Sequence, residues 1–164
     1  YSTGTLELLK TKPITDGQIV LAKFFGIFVL MLLVLLPTLS YIYSIYMLGD
    51  PIGNIEMGAT IGSYIGLIFL ISSFAAIGLY ASSISKNQIV SFVTGIVLSF
   101  LIYYGFEIVG TYQLFGSQDY MVKSLGMFAH FDSLGRGILD TRDLVYFFSV
   151  TVLFLGLTKM RIRT

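Results

Sequence analysis

Four long runs of apolar residues, separated by polar stretches, dominate the pattern along the chain. The first three can each cross the ~30 Å apolar core of a bilayer as a helix rising ~1.5 Å per residue, and the shorter fourth is expected to stand nearly upright. Helices are expected because lipid offers backbone polar groups no other partners. The pattern predicts an all-α, polytopic transmembrane helical bundle with spans at 17–48, 58–85, 88–111 and 143–160.

Composition supports a membrane bundle over a soluble one. Hydrophobic residues make up 55% of the 164 residues, charged residues 12%, and the mean hydropathy is +0.86. Helices around a soluble core need polar positions at helical spacing, and the 24–36 run has none. Because the chain begins at Tyr1 rather than Met, we expect 1–164 to be a single membrane domain that lacks its upstream part.

Basic residues predict the orientation, since cytoplasmic loops carry an excess of Lys and Arg. Seven of the ten lie on one side of the predicted spans: Lys10, Lys12, Lys23, Lys86, Lys159, Arg161 and Arg163. The N-terminal segment and the C-terminus are therefore expected to face the cytoplasm.

The two outer connections differ in size. Residues 49–54 form a turn of breaker residues, whereas the outer segment, 112–142, mixes apolar Leu125, Met127 and Phe131 with polar residues and glycine. We expect short amphipathic helices that lie on the outer surface or dip into it; the alternative is a loop packed over the bundle. Tyrosines near these ends predict an interfacial belt: Tyr41, Tyr43, Tyr46, Tyr103, Tyr104 and Tyr112.

The first sixteen residues predict a short cytoplasmic helix. Leu6 and Leu9 form its apolar face and Pro13 ends it, while Thr15 and Gln18 have the spacing of a capping box for the first span. A short helix joined tightly to a span can move with it as one lever. The alternative is an anchor that lies on lipid.

Several stretches carry a family resemblance: GTLELL at 4–9, QIVLAKF at 18–24, GSYIGL at 62–67, AAIGLYASS at 75–83, NQIV at 87–90 and RGILD at 136–140. Over essentially the whole chain they resemble ABC-2 type exporter permeases, and most of all the permeases associated with bacterial gliding motility. In that family the first stretch follows the second of six membrane helices and contacts an ATP-binding subunit.

The resemblance implies a coupling interface to an ABC ATPase at Thr5, Leu6, Glu7, Leu8, Leu9 and Lys10. It also implies a second permease subunit, identical or homologous, and ATP and Mg bound by the partner ATPase. The four spans here would correspond to the third to sixth helices of the family subunit. Competing interpretations are a structural or anchoring component of a membrane machine and an ion-coupled secondary transporter, which needs ionisable groups near mid-membrane.

The sequence lacks the motifs of common catalytic sites. It contains no GxxxxGK[ST] phosphate loop, no HExxH and no G-x-S-x-G. It has no Cys, and a single histidine, His130, cannot form a multi-histidine metal site. We therefore expect a non-catalytic subunit that binds no metal, cofactor or nucleic acid.

Small residues on the second span predict close helix packing. Gly58, Gly62 and Gly66 recur every fourth residue, and Gly78 lies on the same register. This face could pack within the subunit or form a dimer seam.

Glu107, His130 and Arg136 form a possible intramembrane or outer polar site. A carboxylate in an apolar span is costly unless paired or hydrated, so Glu107 could reach interfacial water, pair with Arg136 or Arg142, or line a substrate path. His130, near Asp132, suggests a loop hydrogen bond, with a proton relay or metal contact as the alternative.

Overall fold

The computed structural model describes residues 15–112, 116 and 119–163, and for residue 163 it describes the backbone. Within these ranges the chain forms helices and turns and no β-strand. In order these are α1 (Asp16–Leu35), a 3₁₀ turn (Leu36–Thr38), α2 (Leu39–Leu48), α3 (Met57–Ile84), α4 (Gln88–Phe100), a π-helical segment (Leu101–Gly105), α5 (Phe106–Thr111), α6 (Asp119–Lys123), α7 (Met127–Gly135) and α8 (Thr141–Arg163).

Four continuous helical stretches are long and apolar enough to span a membrane: Asp16–Leu48, Met57–Ile84, Gln88–Thr111 and Thr141–Ile162. The predicted all-α polytopic bundle is therefore confirmed. The first stretch, at 33 residues, is about 50 Å long at ~1.5 Å per residue, which exceeds the ~30 Å apolar core. Its α2 half carries three of the belt tyrosines and extends towards the interface.

The first span begins with a capped end, and a 3₁₀ turn interrupts it at its proline. The Thr15 backbone N–H donates to Oε1 of Gln18 at 2.9 Å. Pro37 lies in the 3₁₀ turn between α1 and α2, since proline cannot continue an α-helical ladder. Next to it, the Thr38 hydroxyl donates to the Leu35 carbonyl oxygen at 2.6 Å and also bonds the Tyr64 hydroxyl at 2.9 Å. The second bond links the 3₁₀ turn to α3.

The core is built around α3, which contacts α1, α4, α7 and α8. Ala76 and Ile77 on α3 are fully buried, as is Phe147 on α8, and Val20 and Phe24 attach the start of α1 to this core. The far end of α8 returns to the start of α1, where Lys159 lies beside Gly17. We call this the inner end of the bundle and the opposite end, which carries the outer segment, the outer end.

Hydroxyl groups join α3 to α8 within the apolar core. Ser73 Oγ donates to the Phe147 carbonyl oxygen at 3.2 Å and lies 3.3 Å from Thr151 Oγ1, which also bonds Ser72 at 3.2 Å and the Phe147 carbonyl oxygen at 2.9 Å. Polar side chains that bond across helices are a usual means of association in lipid, where burial of apolar surface gives little net gain.

Candidate functional site

Two short helices, α6 and α7, pack against the ends of three spans and form a layer at the outer end of the bundle. α7 does not lie flat on the surface: Met127 and Leu134 are fully buried, and Leu134 packs beside Gly66 of α3. Gly66 is about 14 Å along α3 from Met57 at ~1.5 Å per residue. The outer segment therefore includes a helix that dips between the spans.

Glycines on α3 make room for this helix. A side chain at Gly62 would collide with the Leu134 carbonyl oxygen and come within 2.9 Å of the Gly137 Cα atom. Gly137 adopts φ +79°, and a side chain there would lie 2.8 Å from the carbonyl carbon of Gly58. A side chain at Gly62 or Gly137 would clash with backbone atoms, so glycine allows this close approach. The 58–66 face therefore packs within the chain, against α7 and its end.

Gly78 has a different environment from Gly62 and Gly66. A Cβ atom built on it meets no heavy atom within 4 Å, and the residue is exposed. It lines an open groove of about 760 Å³ between α3 and α4, together with Phe74, Ser82, Phe92 and Gly95. The small-residue register thus faces the subunit's own outer helix at one end and an open groove at the other.

Glu107 forms an ion pair with a residue that the sequence analysis did not single out. Its Oε1 lies 2.9 Å from Nζ of Lys123 on α6, and the two side chains are 20% and 34% exposed. The expected partners, Arg136 or Arg142, are therefore replaced by Lys123. The lysine stem passes over Gly110, where a Cβ atom would lie 2.5 Å from Lys123 Cγ.

His130 is the most constrained polar side chain of the layer. Its Nδ1 lies 2.6 Å from Asp143 Oδ1 at the start of α8, and its Nε2 lies 2.9 Å from the Ser124 carbonyl oxygen. The His130 ring stacks on Tyr146 with centroids 4.0 Å apart, and the Tyr146 hydroxyl donates to the Leu125 carbonyl oxygen at 2.5 Å. His130 thus bonds Asp143 rather than the nearby Asp132.

Arg136 forms an exposed ion pair with a residue of its own helix. It pairs with Asp132 one turn earlier at 2.6 Å, and the side chains are 67% and 48% exposed. Glu107, His130 and Arg136 therefore all lie in the outer layer, but each has a different partner. Within the described residues no group of three or more His, Asp or Glu side chains has the arrangement of a metal site.

The π-helical segment of the third span accommodates the tip of the dipping helix. Tyr103 and Tyr104 within it meet Phe128 edge to face, with ring centroids 5.9 and 5.3 Å apart, and a Cβ atom at Gly126 would lie 3.6 Å from the Tyr103 carbonyl oxygen. π turns inside helices are frequent at functional sites. Both tyrosines contact an aromatic side chain of α7, with Tyr103 half-buried and Tyr104 exposed. The other belt tyrosines, Tyr41, Tyr43, Tyr46 and Tyr112, are exposed, as a belt requires.

Sequence reasoning missed Lys123, Asp143 and the Ser124 carbonyl oxygen as partners. Lys123 lies within the outer segment and Asp143 directly follows it in the sequence, but their pairing depends on how α6 and α7 fold back. The proposed coupling residues Thr5, Leu6, Glu7, Leu8, Leu9 and Lys10 lie outside the described residues.

Comparison with known proteins gives one finding. A protein-family model described as "ABC-2 family transporter protein" matches residues 1–158. The searches of curated proteins and of solved structures gave no match.

Proposed function

Because the chain belongs to the ABC-2 family of transporter proteins, we propose that it is a membrane subunit of an exporter driven by ATP that a separate ABC ATPase hydrolyses. ATP and Mg would bind to that partner, in line with the missing phosphate loop in this chain. The family match over residues 1–158 is the observation that carries the proposal. A second permease subunit, identical or homologous, would complete the translocation path in the lipid bilayer.

The arrangement of the inner end supports cytoplasmic coupling there. The start of α1 and the end of α8 lie together, with Lys159 beside Gly17, and Lys23 and Arg161 lie on the same two helix ends. This concentration of basic residues at one end is typical of a cytoplasmic face. We propose on this basis that both ends of the chain face the cytoplasm of a bacterial cell, at its inner membrane.

The start of α1, which follows the proposed coupling residues along the sequence, packs into the core. Residues 5–10 precede α1 by a few residues, and α1 begins at Asp16. Val20 and Phe24 in its first turns are 2% and 6% exposed and belong to the core cluster around α3 and α8. Because packed interiors transmit displacement with little compression, a push on the start of α1 would move the core rather than bend the helix alone.

The proposal is tested by purification of the protein from native membranes in mild detergent. We expect a P-loop ATPase to co-purify, and to be lost when Leu6, Leu8 and Leu9 are changed to Asp. The matched control introduces Asp at Ile138 and Leu139, which are 58% and 53% exposed at the outer end; this variant is expected to retain the ATPase. A stable wild-type preparation without any ATPase would argue against the exporter and for an anchoring or ion-coupled role.

We further propose a link to bacterial gliding motility, on the resemblance of the stretches at 4–9, 62–67 and 75–83 alone. Deletion of the gene in a gliding bacterium that carries it is expected to stop spreading on agar. Normal spreading in the deletion strain would leave the exporter proposal intact and remove this link.

A further inference from the structure

The contacts of His130 require a proton that it shares with Asp143. A carbonyl oxygen accepts hydrogen bonds and cannot donate them, so the 2.9 Å contact with the Ser124 carbonyl oxygen needs a hydrogen on Nε2. The 2.6 Å contact between Nδ1 and Asp143 Oδ1 needs a second hydrogen between those atoms. Both contacts exist together either as imidazolium with carboxylate or as neutral imidazole with carboxylic acid.

When that one proton is removed, His130 can no longer make both hydrogen bonds, to Asp143 and to the Ser124 carbonyl oxygen. Neutral imidazole carries one N–H, so with an ionised Asp143 a nitrogen lone pair must face either the carboxylate or the Ser124 carbonyl oxygen. The first arrangement separates α7 from α8, and the second separates His130 from the chain just before α7. In either case the proton leaves to water and the outer layer loses a hydrogen bond.

The surroundings strengthen this dependence. His130 is partly buried and Asp143 is buried, with side chains 18% and 9% exposed. Asp143 Oδ2 is buried without a hydrogen-bond partner among the described residues. An unpaired carboxylate oxygen away from water is costly as an anion, and the shared proton offsets that cost. The pair therefore holds α7 in place as long as the proton is present.

Neighbouring titratable groups have contacts of their own. Tyr146 stacks on His130 and bonds the Leu125 carbonyl oxygen. On the other elements packed around α7 the groups pair as follows: Glu107 with Lys123, Asp132 with Arg136, Asp140 with the Arg142 backbone N–H, Tyr64 with Thr38, Tyr103 with Phe128 and Tyr80 with Phe154. Asp119 on α6 is also engaged in a contact. The contact between His130 and Asp143 joins α7 directly to α8 through the shared proton.

We propose that His130 and Asp143 form a proton-dependent clasp that keeps α7 docked between the spans at low pH and releases it as the pH rises. The sign follows from linkage: docking needs the proton and the undocked helix does not, so a fall in proton concentration favours undocking. On the orientation proposed above, the clasp makes the outer layer responsive to the pH on the side of the membrane opposite the cytoplasm.

The test measures hydrogen-exchange protection of backbone amides 127–135 in detergent-solubilised protein at about pH 5.5 and about pH 8.5, corrected for intrinsic exchange rates. We expect protection in the wild type to fall about tenfold or more at the higher pH. In Asp143→Asn the carboxamide can donate to neutral Nδ1 or accept from charged Nδ1–H, so α7 should stay protected at both pH values. In Asp132→Asn, which breaks an exposed pair on the same helix, the pH response should persist.

A second measurement uses the fact that the chain has no cysteine. Met127→Cys places a thiol at a fully buried position of α7, and Met121→Cys places one at a position that is 69% exposed on α6. The maleimide labelling rate of the Met127→Cys variant, divided by that of the Met121→Cys variant, is expected to rise with pH. When Asp143→Asn is added to both variants, this ratio is expected to stay constant. Equal wild-type protection at both pH values, or an Asp143→Asn protein that keeps the wild-type response, would overturn the clasp. Neither measurement needs an ATPase, so failure here is distinct from failure of the proposed function.

Discussion

At the scale of single residues, the four glycines of the second span have two different roles. Gly62 lies under the Leu134 carbonyl oxygen and the Gly137 backbone, whereas Gly78 faces an open groove with free space around it. The four glycines share one register in the sequence, so the sequence alone does not reveal that their surroundings differ. Spacing reveals which face of a helix is small, but the partner of that face depends on how distant segments fold back.

Gly62→Ala is expected to destabilise the protein, while Gly78→Ala is neutral or slightly stabilising. Both gain the helix propensity of alanine, but the methyl group at 62 meets backbone atoms that cannot rotate away, and overpacking of this kind costs about 1–3 kcal/mol. Thermal unfolding in detergent, followed by circular dichroism, checks the pair. A Gly62→Ala midpoint equal to that of Gly78→Ala would contradict the observed close approach of α7 to α3.

At the scale of the elements, hydropathy alone was sufficient for the four spans, because every membrane-crossing segment must be continuously apolar and helical. It was not sufficient for α7 and the π-helical segment. α7 is nine residues long, too short for a hydropathy signal, and its burial depends on glycines sixty or more positions earlier. The π segment is continuous in sequence with the α-helix around it, and packing of Phe128 and Gly126 accompanies it.

Hydrogen bonds between α3 and α8 should contribute measurably to their association. Thr151→Val keeps the side-chain shape but removes the hydroxyl that bonds Ser72, Ser73 and the Phe147 carbonyl oxygen. Interhelical hydrogen bonds in membrane proteins contribute about 0.6 kcal/mol on average and up to about 1.7, so we expect a loss in that range. Ser149→Ala is the control, since Ser149 is exposed on the same helix and bonds its own Val145 carbonyl oxygen. Unfolding in mixed micelles distinguishes them; equal stabilities would mean that the hydroxyl seam contributes nothing net.

At the scale of the whole molecule, the two ends of the bundle are organised differently. The inner end joins the start of the first span to the core through buried aromatic and aliphatic side chains. The outer end holds its short helices by polar pairs, Glu107 with Lys123 and His130 with Asp143. Apolar packing at the inner end allows a displacement of α1 to reach the core. Polar pairs at the outer end allow a change in charge to release the short helices. α3 contacts both ends, so it can carry a movement of α1 to the layer around α7.

Adjacent phenylalanines on α1 allow this connection to be tested. Phe24 is 6% exposed and stacks on Phe28, whereas Phe25 is 55% exposed. Phe24→Ala should cost about 3–5 kcal/mol of stability through the cavity it leaves, and Phe25→Ala much less.

If α1 transmits force as proposed, a Phe24→Leu variant, which refills most of the cavity, should still bind the ATPase but show weaker coupling of ATP hydrolysis to transport in proteoliposomes. Phe25→Leu should behave as wild type. Because both variants carry the same substitution in the same helix turn, a loss of coupling in both would point to altered lipid contact, whereas a loss confined to Phe24→Leu would trace the path of force from the coupling segment through α1 into the core.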